Sequence, residues 1–266
     1  MAEQNPFAVV TGASSGIGYE LARLFAAHDF DLLLAAEDED IVAAAIDLRR
    51  DDAHTVEAVR VDLATETGVE QLYRAIESSG RAVDAIALNA GRGAGGDFTR
   101  ETDLRDELEI IDVNVRSTVH LAKRVLPGMV RRGAGRVLFT SSIASTMPGT
   151  YQAVYNASKS FVQSFAEAIQ AELKDTGVTV TSLMPGPTDT NFFERADMMD
   201  TKVGASDSKD DPADVAKQGF EALMAGKPRV VAASFSTKAQ EAAAKVMPDR
   251  LKAELHRKMA EPGSAE

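Results

Sequence analysis

Short apolar runs alternate with longer segments of helical periodicity along most of the chain. The first run, Phe7 to Val10, is followed by Gly16 to Ala27, where apolar residues recur every three or four positions, as on one face of a helix. Runs this short and this apolar are typical of parallel strands that are buried on both faces of a sheet. Further strands are predicted at residues 32–35, 55–61, 85–88, 136–140, 178–184 and 229–232, and further helices at 41–50, 65–79, 104–132, 151–176, 212–225, 238–246 and 248–259.

This alternation of strand and helix predicts the fold class. Right-handed crossovers between parallel strands build an α/β, three-layer, Rossmann-type doubly wound sheet, here of about seven strands with helices on both faces. At 266 residues the chain fits a single such domain, residues 1–266. We therefore expect one core, with a regular frame over residues 5–190 and a less regular remainder over 190–266.

The regular pattern stops after Pro185, and the stretch up to Asp211 is rich in Asp, Thr, Ser and Met. A loop of this length inside a compact domain is usually functional or mobile. We expect Asp211 to cap the next helix and Pro212 to be its first residue. At the end of the chain, residues 261–266 are expected to fray.

Composition narrows the classes of function. With 41 acidic and 29 basic side chains the net charge is -12, which repels phosphate backbones, so nucleic acids and anionic membranes are poor partners. The absence of cysteine excludes thiolate nucleophiles and Cys-ligated zinc, and the four histidines have no metal-ligand spacing. The longest apolar run, Ile41 to Ile46, is far below the ~20 residues that span a bilayer. No signal peptide is visible in residues 1–6, so we expect a cytoplasmic protein without a metal site.

The first motif with chemical content is a glycine-rich turn between the first strand and the first helix. It reads Thr11-Gly12-Ala13-Ser14-Ser15-Gly16-Ile17-Gly18. Glycines at such a turn let the backbone approach a pyrophosphate, whose charge is met by the N–H groups and dipole of the helix N-terminus. The alternative is a purely structural turn, because the GxxxGxG spacing differs from the common GxGxxG fingerprint.

The second motif is Tyr155-Asn156-Ala157-Ser158-Lys159 within a helical pattern. Residues i and i+4 lie on one helix face, so the Lys159 ammonium is expected to favour tyrosinate and lower the pKa of Tyr155 from about 10 toward neutrality. Such a phenol could act as a general acid or base. Tyr151 has Tyr155, not a lysine, at i+4 and does not compete for this role. Taken alone, YxxxK is also compatible with an ordinary surface pair.

Five motifs in a fixed order resemble the short-chain dehydrogenase/reductase family over about residues 5–190. They are the TGxxxGxG turn, Leu88-Asn89-Ala90-Gly91 after the fourth strand, Ser141-Ser142 after the fifth, the YxxxK pair, and Pro185-Gly186 after the sixth. The resemblance implies an NAD(P)-dependent oxidoreductase that transfers hydride between a nicotinamide cofactor and a small hydroxyl or carbonyl substrate. It makes 5–190 the cofactor-binding and catalytic frame and 190–266 the substrate loop and C-terminal helices. It also implies a homodimer or homotetramer built through the two long helices, 104–132 and 151–176.

The resemblance assigns roles position by position. Ser142, thirteen residues before Tyr155, would hydrogen-bond the substrate oxygen, with Ser141 the weaker candidate. Asn114 would hold a water of a proton relay, and Lys159 would also bond the nicotinamide ribose. Considered alone, Asn114 could be a packing residue and Ser142 a turn residue. The implied cofactor-binding residues are Gly12, Ser14, Ser15, Gly16, Ile17, Gly18, Glu37, Asp62, Leu63, Asn89, Ala90, Gly91, Tyr155, Lys159, Pro185, Gly186, Thr188 and Thr190.

The choice between NAD and NADP is made at the end of the second strand. Ala36 stands where NAD-preferring members of the family tend to have Asp, and Glu37 stands where NADP-preferring members often have Arg. The acidic run from Glu37 to Asp40 would repel a 2'-phosphate, so NAD is preferred, with NADP possible. The run could instead simply stabilise the start of the next helix.

Two other functions remain open on the same fold: a catalytically silent nicotinamide-binding regulatory protein, and a lyase or epimerase. In the long loop, Phe192, Phe193, Met198 and Met199 could line an apolar substrate pocket or anchor the loop to the core. Residues 238–259 could form an oligomer arm or an ordinary surface helix. The sequence does not identify the substrate.

Overall fold

The computed structural model describes residues 4–49, 54–232 and 247–265. Seven parallel strands form one sheet in the order β3-β2-β1-β4-β5-β6-β7, which confirms the predicted doubly wound fold. The strands are β1 (Phe7–Thr11), β2 (Asp31–Ala36), β3 (Val56–Arg60), β4 (Ala85–Leu88), β5 (Gly135–Thr140), β6 (Val178–Pro185) and β7 (Arg229–Ala232). The described helices are α1 (Gly16–Ala27), α2 (Asp40–Leu48), α3 (Glu66–Ser78), α4 (Leu104–Ile111), α5 (Ser117–Arg132), α6 (Ala153–Leu173), α7 (Phe192–Arg195), α8 (Lys202–Ala205), α9 (Pro212–Met224) and α10 (Asp249–Ala260).

The sheet is covered on both faces because successive side chains of each strand point to opposite sides. Ala8 and Val10 of β1 belong to a core shared with α1 and α9, whereas Val9 belongs to the opposite core, shared with α3, α5 and α6. In the first core the Phe25 ring packs edge-on against Phe220 of α9, with 5.1 Å between the ring centroids. The C-terminal segment therefore completes the core of the frame as well as supplying loops.

One predicted helix, 104–132, is interrupted. Between α4 and α5 the chain forms a π-helical turn, Asp112–Arg116, and Asn114 is buried within it. Such turns occur frequently at functional sites. The hydrophobic periodicity of the sequence did not predict this one. The other long helix begins at Ala153 instead of residue 151, because Tyr151 has a left-handed backbone with φ of 66°.

The long loop after β6 contains two short helices, α7 and α8, and hydrogen bonds join it to the end of the chain. The prediction that the chain end frays is wrong for residues 261–265: Gly263 N and Ala265 N donate to Oδ2 and the carbonyl oxygen of Asp200, at 2.7 and 2.9 Å. Asp211 caps α9 through Ala213 N, as predicted. The helix predicted at 238–246 lies outside the described residues.

None of the helices in the described part of the chain has the length and apolar character of a membrane span. No group of three or more His, Asp or Glu side chains there could hold a metal ion.

Candidate active site

A cleft of about 570 Å³ opens at the carboxyl ends of the strands, where the strand order reverses between β1 and β4. Ligands of doubly wound sheets bind at this switch point. The structure brings to this cleft every residue predicted to bind the cofactor, together with Ser142, Tyr155 and Lys159. Asn114 is the exception, because it lies behind the wall of the cleft.

The glycine turn between β1 and α1 is required by close packing. Gly12 has φ of 65°, and a Cβ there would lie 2.9 Å from the Ala90 Cα. A Cβ on Gly18 would overlap the Gly12 carbonyl oxygen and lie 2.5 Å from Asn89 Nδ2. Gly16, with φ of 57°, faces Thr190 across the cleft. Close packing alone requires glycines at this turn, and the same residues line the cleft, so the structural interpretation and the ligand-binding interpretation are compatible.

The first turn of α1 is open to an anion. Ser15 is the N-cap residue, but its side chain makes no capping hydrogen bond. The first N–H groups of a helix need an acceptor, and the helix dipole favours a negative one. Ser15, Gly16 and Ile17 all line the cleft. This end of the cleft fits the pyrophosphate of a dinucleotide.

Asn89 fastens the ends of three strands beneath the cleft. Its Nδ2 donates to the Thr11 carbonyl oxygen at 3.1 Å, and its Oδ1 accepts from Thr140 Oγ1 at 3.1 Å. Its backbone N–H and that of Ala90 donate to Thr11 Oγ1 at 3.0 and 3.1 Å. Asn89 therefore shapes the floor of the site with side-chain atoms that already have protein partners.

Ser142 follows β5 and contacts the phenol of Tyr155. Its Oγ accepts from Ala144 N at 3.1 Å and donates to the Pro185 carbonyl oxygen at 3.4 Å, and its interaction with Tyr155 acts to lower the pKa of that phenol. The neighbouring Ser141 donates to the Lys159 carbonyl oxygen at 3.1 Å and is thereby engaged in holding α6. The geometry favours Ser142 over Ser141 as the hydroxyl available to a substrate.

The pKa of Tyr155 is shifted opposite to the expected direction. Burial raises it to about 12, because the phenolate would be desolvated, and the Ser142 hydrogen bond only partly opposes this. The Lys159 ammonium donates to the Thr140 carbonyl oxygen at 2.9 Å and lies 5.9 Å from the Tyr155 ring centroid. Burial also lowers the pKa of Lys159, to about 8. The predicted lowering of the Tyr155 pKa by Lys159 is therefore wrong for this arrangement, in which Tyr155 is a neutral acid.

Asn114 joins the π-helical turn to the chain that follows β4. Its Oδ1 accepts from Arg92 N at 2.8 Å, and its Nδ2 donates to the Arg92 carbonyl oxygen and to Ser158 Oγ, both at 2.9 Å. A Cβ on Gly91 would lie 3.1 Å from Lys159 Nζ and 3.4 Å from Asn114 Oδ1. Asn114 thus supports the wall of the cleft directly beside Lys159.

Two side chains of α6 hold the segment that follows Ser142, and no sequence motif pointed to them. Asn156 Nδ2 donates to the carbonyl oxygens of Ala144 and Met147, each at 3.2 Å. One turn later, Ser160 Oγ donates to the Ser145 carbonyl oxygen at 2.8 Å. These bonds tie the helix that carries Tyr155 to the loop that carries Ser142, which fixes the two hydroxyl groups relative to each other.

At the far end of the cleft the structure adds Asp38 to the predicted Glu37. Both line the cleft, but Glu37 is exposed, whereas Asp38 Oδ2 accepts from Ser14 Oγ at 2.9 Å. Asp38 Oδ1 is shielded from solvent and has no hydrogen-bond partner among the described residues. Glu39 is the N-cap of α2 without making a side-chain capping bond, and Asp40 lies in the first turn of the helix, so a stabilising effect on the start of α2 stays open beside the cofactor role. The sequence analysis named Glu37 in this acidic run as a cofactor contact, and the structure adds Asp38 as a second candidate.

The remaining predicted contacts lie on the rim. Asp62 Oδ1 accepts from Ala64 N at 2.8 Å, while the cap of α3 is Thr65, so Asp62 does not cap that helix. Thr188 donates to the Gly186 carbonyl oxygen at 2.9 Å, and Thr190 Oγ1 accepts from Phe192 N at 3.3 Å. All these residues except Ala64 and Thr65 line the cleft.

Comparison with known proteins decides the family. The family profile described as short chain dehydrogenase matches residues 6–201. The chain belongs to the short-chain dehydrogenase family. An uncharacterized oxidoreductase of Staphylococcus saprophyticus is 33% identical over 222 residues, which cover 83% of this chain and 92% of the relative.

Solved structures of other short-chain dehydrogenases share the fold and carry nicotinamide cofactors. One from Burkholderia phymatum, in complex with NAD, is 26% identical and superimposes with a TM-score of 0.81 over 98% of this chain and 99% of its own. One from Sphingobium yanoikuyae, in complex with NADPH, is 25% identical with a TM-score of 0.78 over 91% of this chain and 96% of its own. The two therefore differ in the cofactor that they bind.

In this short-chain dehydrogenase the loop after β6 and helix α10 both contribute to the lining of the cleft. Phe192 and Phe193 line the cleft, and the Phe192 ring centroid is 5.1 Å from that of Tyr155. Met198 is fully buried and anchors the loop, while Met199 is 52% exposed. Phe192 and Phe193 thus line the cleft and Met198 anchors the loop, whereas Met199 does neither. Three residues of α10 also line the cleft, which the sequence did not indicate: His256, Met259 and Ala260.

Proposed function

We propose that this protein is an NAD(P)-dependent oxidoreductase that transfers hydride between a nicotinamide cofactor and a hydroxyl or carbonyl substrate. The observation that carries the proposal is the convergence of Ser142, Tyr155 and Lys159 on one wall of the cleft that also contains the glycine turn. The open N-terminus of α1 and the unpartnered Asp38 Oδ1 fit a dinucleotide at the other end. A silent binding protein would not require a half-buried tyrosine and a buried lysine on one helix face.

In the reducing direction, a nicotinamide held in the cleft would provide the hydride for the carbonyl carbon. Tyr155 holds the proton that the oxygen must gain, and its pKa of about 12 keeps it protonated at neutral pH. Ser142 donates a hydrogen bond to the same oxygen as negative charge develops there. Oxidation of an alcohol is the reverse step: it starts from the tyrosinate form of Tyr155, which takes the proton of the alcohol and becomes the neutral phenol.

Lys159 and Asn114 support this step. The Lys159 ammonium, with a pKa of about 8, is mostly charged at neutral pH; it donates to the Thr140 carbonyl oxygen and would also bond the ribose of the nicotinamide. Asn114 positions the backbone of Gly91 and Arg92 next to Lys159. Its role in holding a relay water rests on the family resemblance.

The experiment that tests the proposal follows absorbance at 340 nm with purified protein, reduced cofactor and a panel of aldehydes and ketones. We expect oxidation of the cofactor coupled to formation of the alcohol in equal amounts. A silent regulatory protein would bind the cofactor without this change. A lyase or epimerase would form product without net change in absorbance. Either of those results would contradict the proposal.

We further propose that NAD is preferred over NADP. The unpartnered Asp38 Oδ1 can accept a hydrogen bond from the ribose 2'-hydroxyl, whereas a 2'-phosphate would meet the charges of Glu37 and Asp38. We expect NADH to bind at least about tenfold more tightly than NADPH, and Asp38→Ala to remove most of that difference. Glu39→Ala is the matched control, because this side chain is 86% exposed.

Binding is measured by the fluorescence of the cofactor, since the chain contains no tryptophan. Tighter binding of NADPH than of NADH by the wild-type protein would contradict the preference. An unchanged preference in Asp38→Ala would show that a different residue determines it.

We infer that two copies associate through α4 and α6. Leu104, Leu108 and Ile111 of α4 and Phe161 of α6 are 42–69% exposed, although they are large and apolar. Ile111 and Phe161 line a shallow apolar groove between the two helices. Phe161→Glu is expected to convert a dimer or tetramer into smaller species in light scattering after gel filtration. A wild-type monomer at micromolar concentration would contradict this inference.

A further inference from the structure

Helix α10 places a histidine in the substrate end of the cleft. His256 is 6% exposed and lines the cleft, although it lies about a hundred residues from the catalytic motif in the sequence. Its Nδ1 is 2.8 Å from the carbonyl oxygen of Thr150. A carbonyl oxygen can only accept, so Nδ1 carries the proton of the neutral ring and Nε2 is left as an acceptor. Nε2 has no hydrogen-bond partner among the described residues.

The contact between His256 and Thr150 is firmly held. Thr150 Oγ1 also donates to the Ala253 carbonyl oxygen of α10 at 2.9 Å. Two hydrogen bonds therefore join α10 to the loop that contains Thr150. Burial lowers the pKa of His256, which favours its neutral form. The ring is therefore fixed in orientation and in tautomer before any ligand arrives.

A second polar side chain lines the same part of the cleft. Gln152, two residues after Thr150 and three before Tyr155, is 7% exposed, and its Nε2 bonds the sulfur of Met198 at 3.0 Å. No partner for its Oε1 occurs in the described part of the chain. Neither of these two acceptor atoms is sealed from solvent, so each can face the cleft, where water or a ligand hydroxyl completes its hydrogen bond.

The surroundings of this pair are otherwise apolar. The cleft residues contributed there by the two loops and by α10 include Met147, Phe192, Phe193, Val203, Met259 and Ala260. The two arginines that line the cleft are directed to acidic partners: Arg92 pairs with Asp106 and Glu109, and Arg195 Nη2 lies 3.8 Å from Asp38 Oδ2. An anionic ligand group beside His256 and Gln152 would thus face two hydrogen-bond acceptors and no free arginine among the described residues of the cleft.

We propose that His256 and Gln152 form a recognition site for a neutral hydroxyl group, so that the preferred substrates are hydroxy ketones or hydroxy aldehydes, or the corresponding diols in the oxidising direction. The proposal rests on the oxidoreductase function proposed above. The substrate hydroxyl donates to His256 Nε2 or to Gln152 Oε1, while the carbonyl group meets Ser142 and Tyr155. The apolar side chains around the pair hold the carbon skeleton.

The test compares matched pairs of ketones that differ only in a hydroxyl group replaced by methyl. The hydroxyl is placed on the first, second or third carbon from the carbonyl, because the length of the substrate is the unknown. We expect kcat/KM for at least one hydroxy ketone to exceed that of its methyl partner by about tenfold or more, since a site built for a hydrogen bond rejects an analogue that cannot make it.

The decisive variant is His256→Asn. The asparagine Nδ2 can replace the donor to the Thr150 carbonyl oxygen, which keeps the helix in place, but nothing replaces Nε2. We expect the preference for the hydroxy ketone to fall by about tenfold, while kcat/KM for the methyl partner stays within about threefold of wild type. Gln152→Leu should lower the same preference. Lys258→Asn is the control, since this side chain lies on the exposed face of α10.

The outcomes separate this inference from the function on which it rests. Absence of cofactor oxidation with every ketone overturns the proposed function and this inference with it. Equal kcat/KM for both members of every pair overturns the inference alone. A preference that survives in both His256→Asn and Gln152→Leu, with melting temperatures at the wild-type value, also overturns it.

Discussion

Tyr155→Phe is expected to lower kcat by about 10²- to 10⁴-fold, which is the range for loss of a general acid or base. The substitution removes only the phenol oxygen. The phenylalanine ring keeps the contact with Phe192, and no polar group has to be desolvated in place of the lost hydroxyl. The fold and the binding of cofactor should therefore persist. Steady-state rates at 340 nm give kcat, and cofactor fluorescence gives the dissociation constant, which should stay within about threefold of wild type.

Tyr151→Phe is the matched control for this experiment. Tyr151 lies four residues earlier and does not line the cleft, and its hydroxyl donates to Glu261 Oε1 at 3.3 Å. It should retain nearly the full kcat. If Tyr155→Phe turned over ketones at the wild-type rate, the assignment of Tyr155 as the acid would be excluded, even if the family and fold are unchanged.

The main features of the fold could be predicted because each strand carries its own burial signal. Strands such as Ala85–Leu88 are apolar throughout, since a parallel sheet with helices on both faces buries both sides of every central strand. The glycine turn was equally visible, because no other residue fits where Gly18 approaches the Gly12 carbonyl oxygen. Strand burial and the close packing at the glycine turn each constrain a short segment, so the residues of that segment are enough to predict them.

The features that the sequence did not predict depend on contacts between distant segments. The π-helical turn around Asn114 is accompanied by bonds to Arg92 and Ser158, which come from two other elements. His256 reaches the cleft only because α10 docks on the loop at Thr150. The pKa of Tyr155 reflects how completely the assembled site excludes water, and an i, i+4 spacing to Lys159 carries no information about that.

Gly18→Ala is expected to abolish detectable cofactor binding and to destabilise the protein. The new Cβ would overlap the Gly12 carbonyl oxygen and crowd Asn89 Nδ2, so α1 or the glycine turn has to move. Overpacking of this kind costs about 1–3 kcal/mol, which exceeds the gain of up to ~1 kcal/mol from replacing glycine in a helix. Thermal unfolding measures the loss of stability, and titration with NADH measures the loss of binding.

Gly128→Ala separates this steric effect from the general consequences of replacing a helical glycine. Gly128 lies within α5, and its added Cβ would have no neighbour closer than the guanidinium nitrogens of Arg131 and Arg132, 3.9 Å away. That variant should be as stable as wild type or slightly more stable, with unchanged affinity for the cofactor. If Gly18→Ala bound NADH as tightly as Gly128→Ala does, the glycine turn would not be the place where the backbone approaches the pyrophosphate. The two variants together therefore test whether close packing at Gly18 and cofactor binding are properties of the same turn.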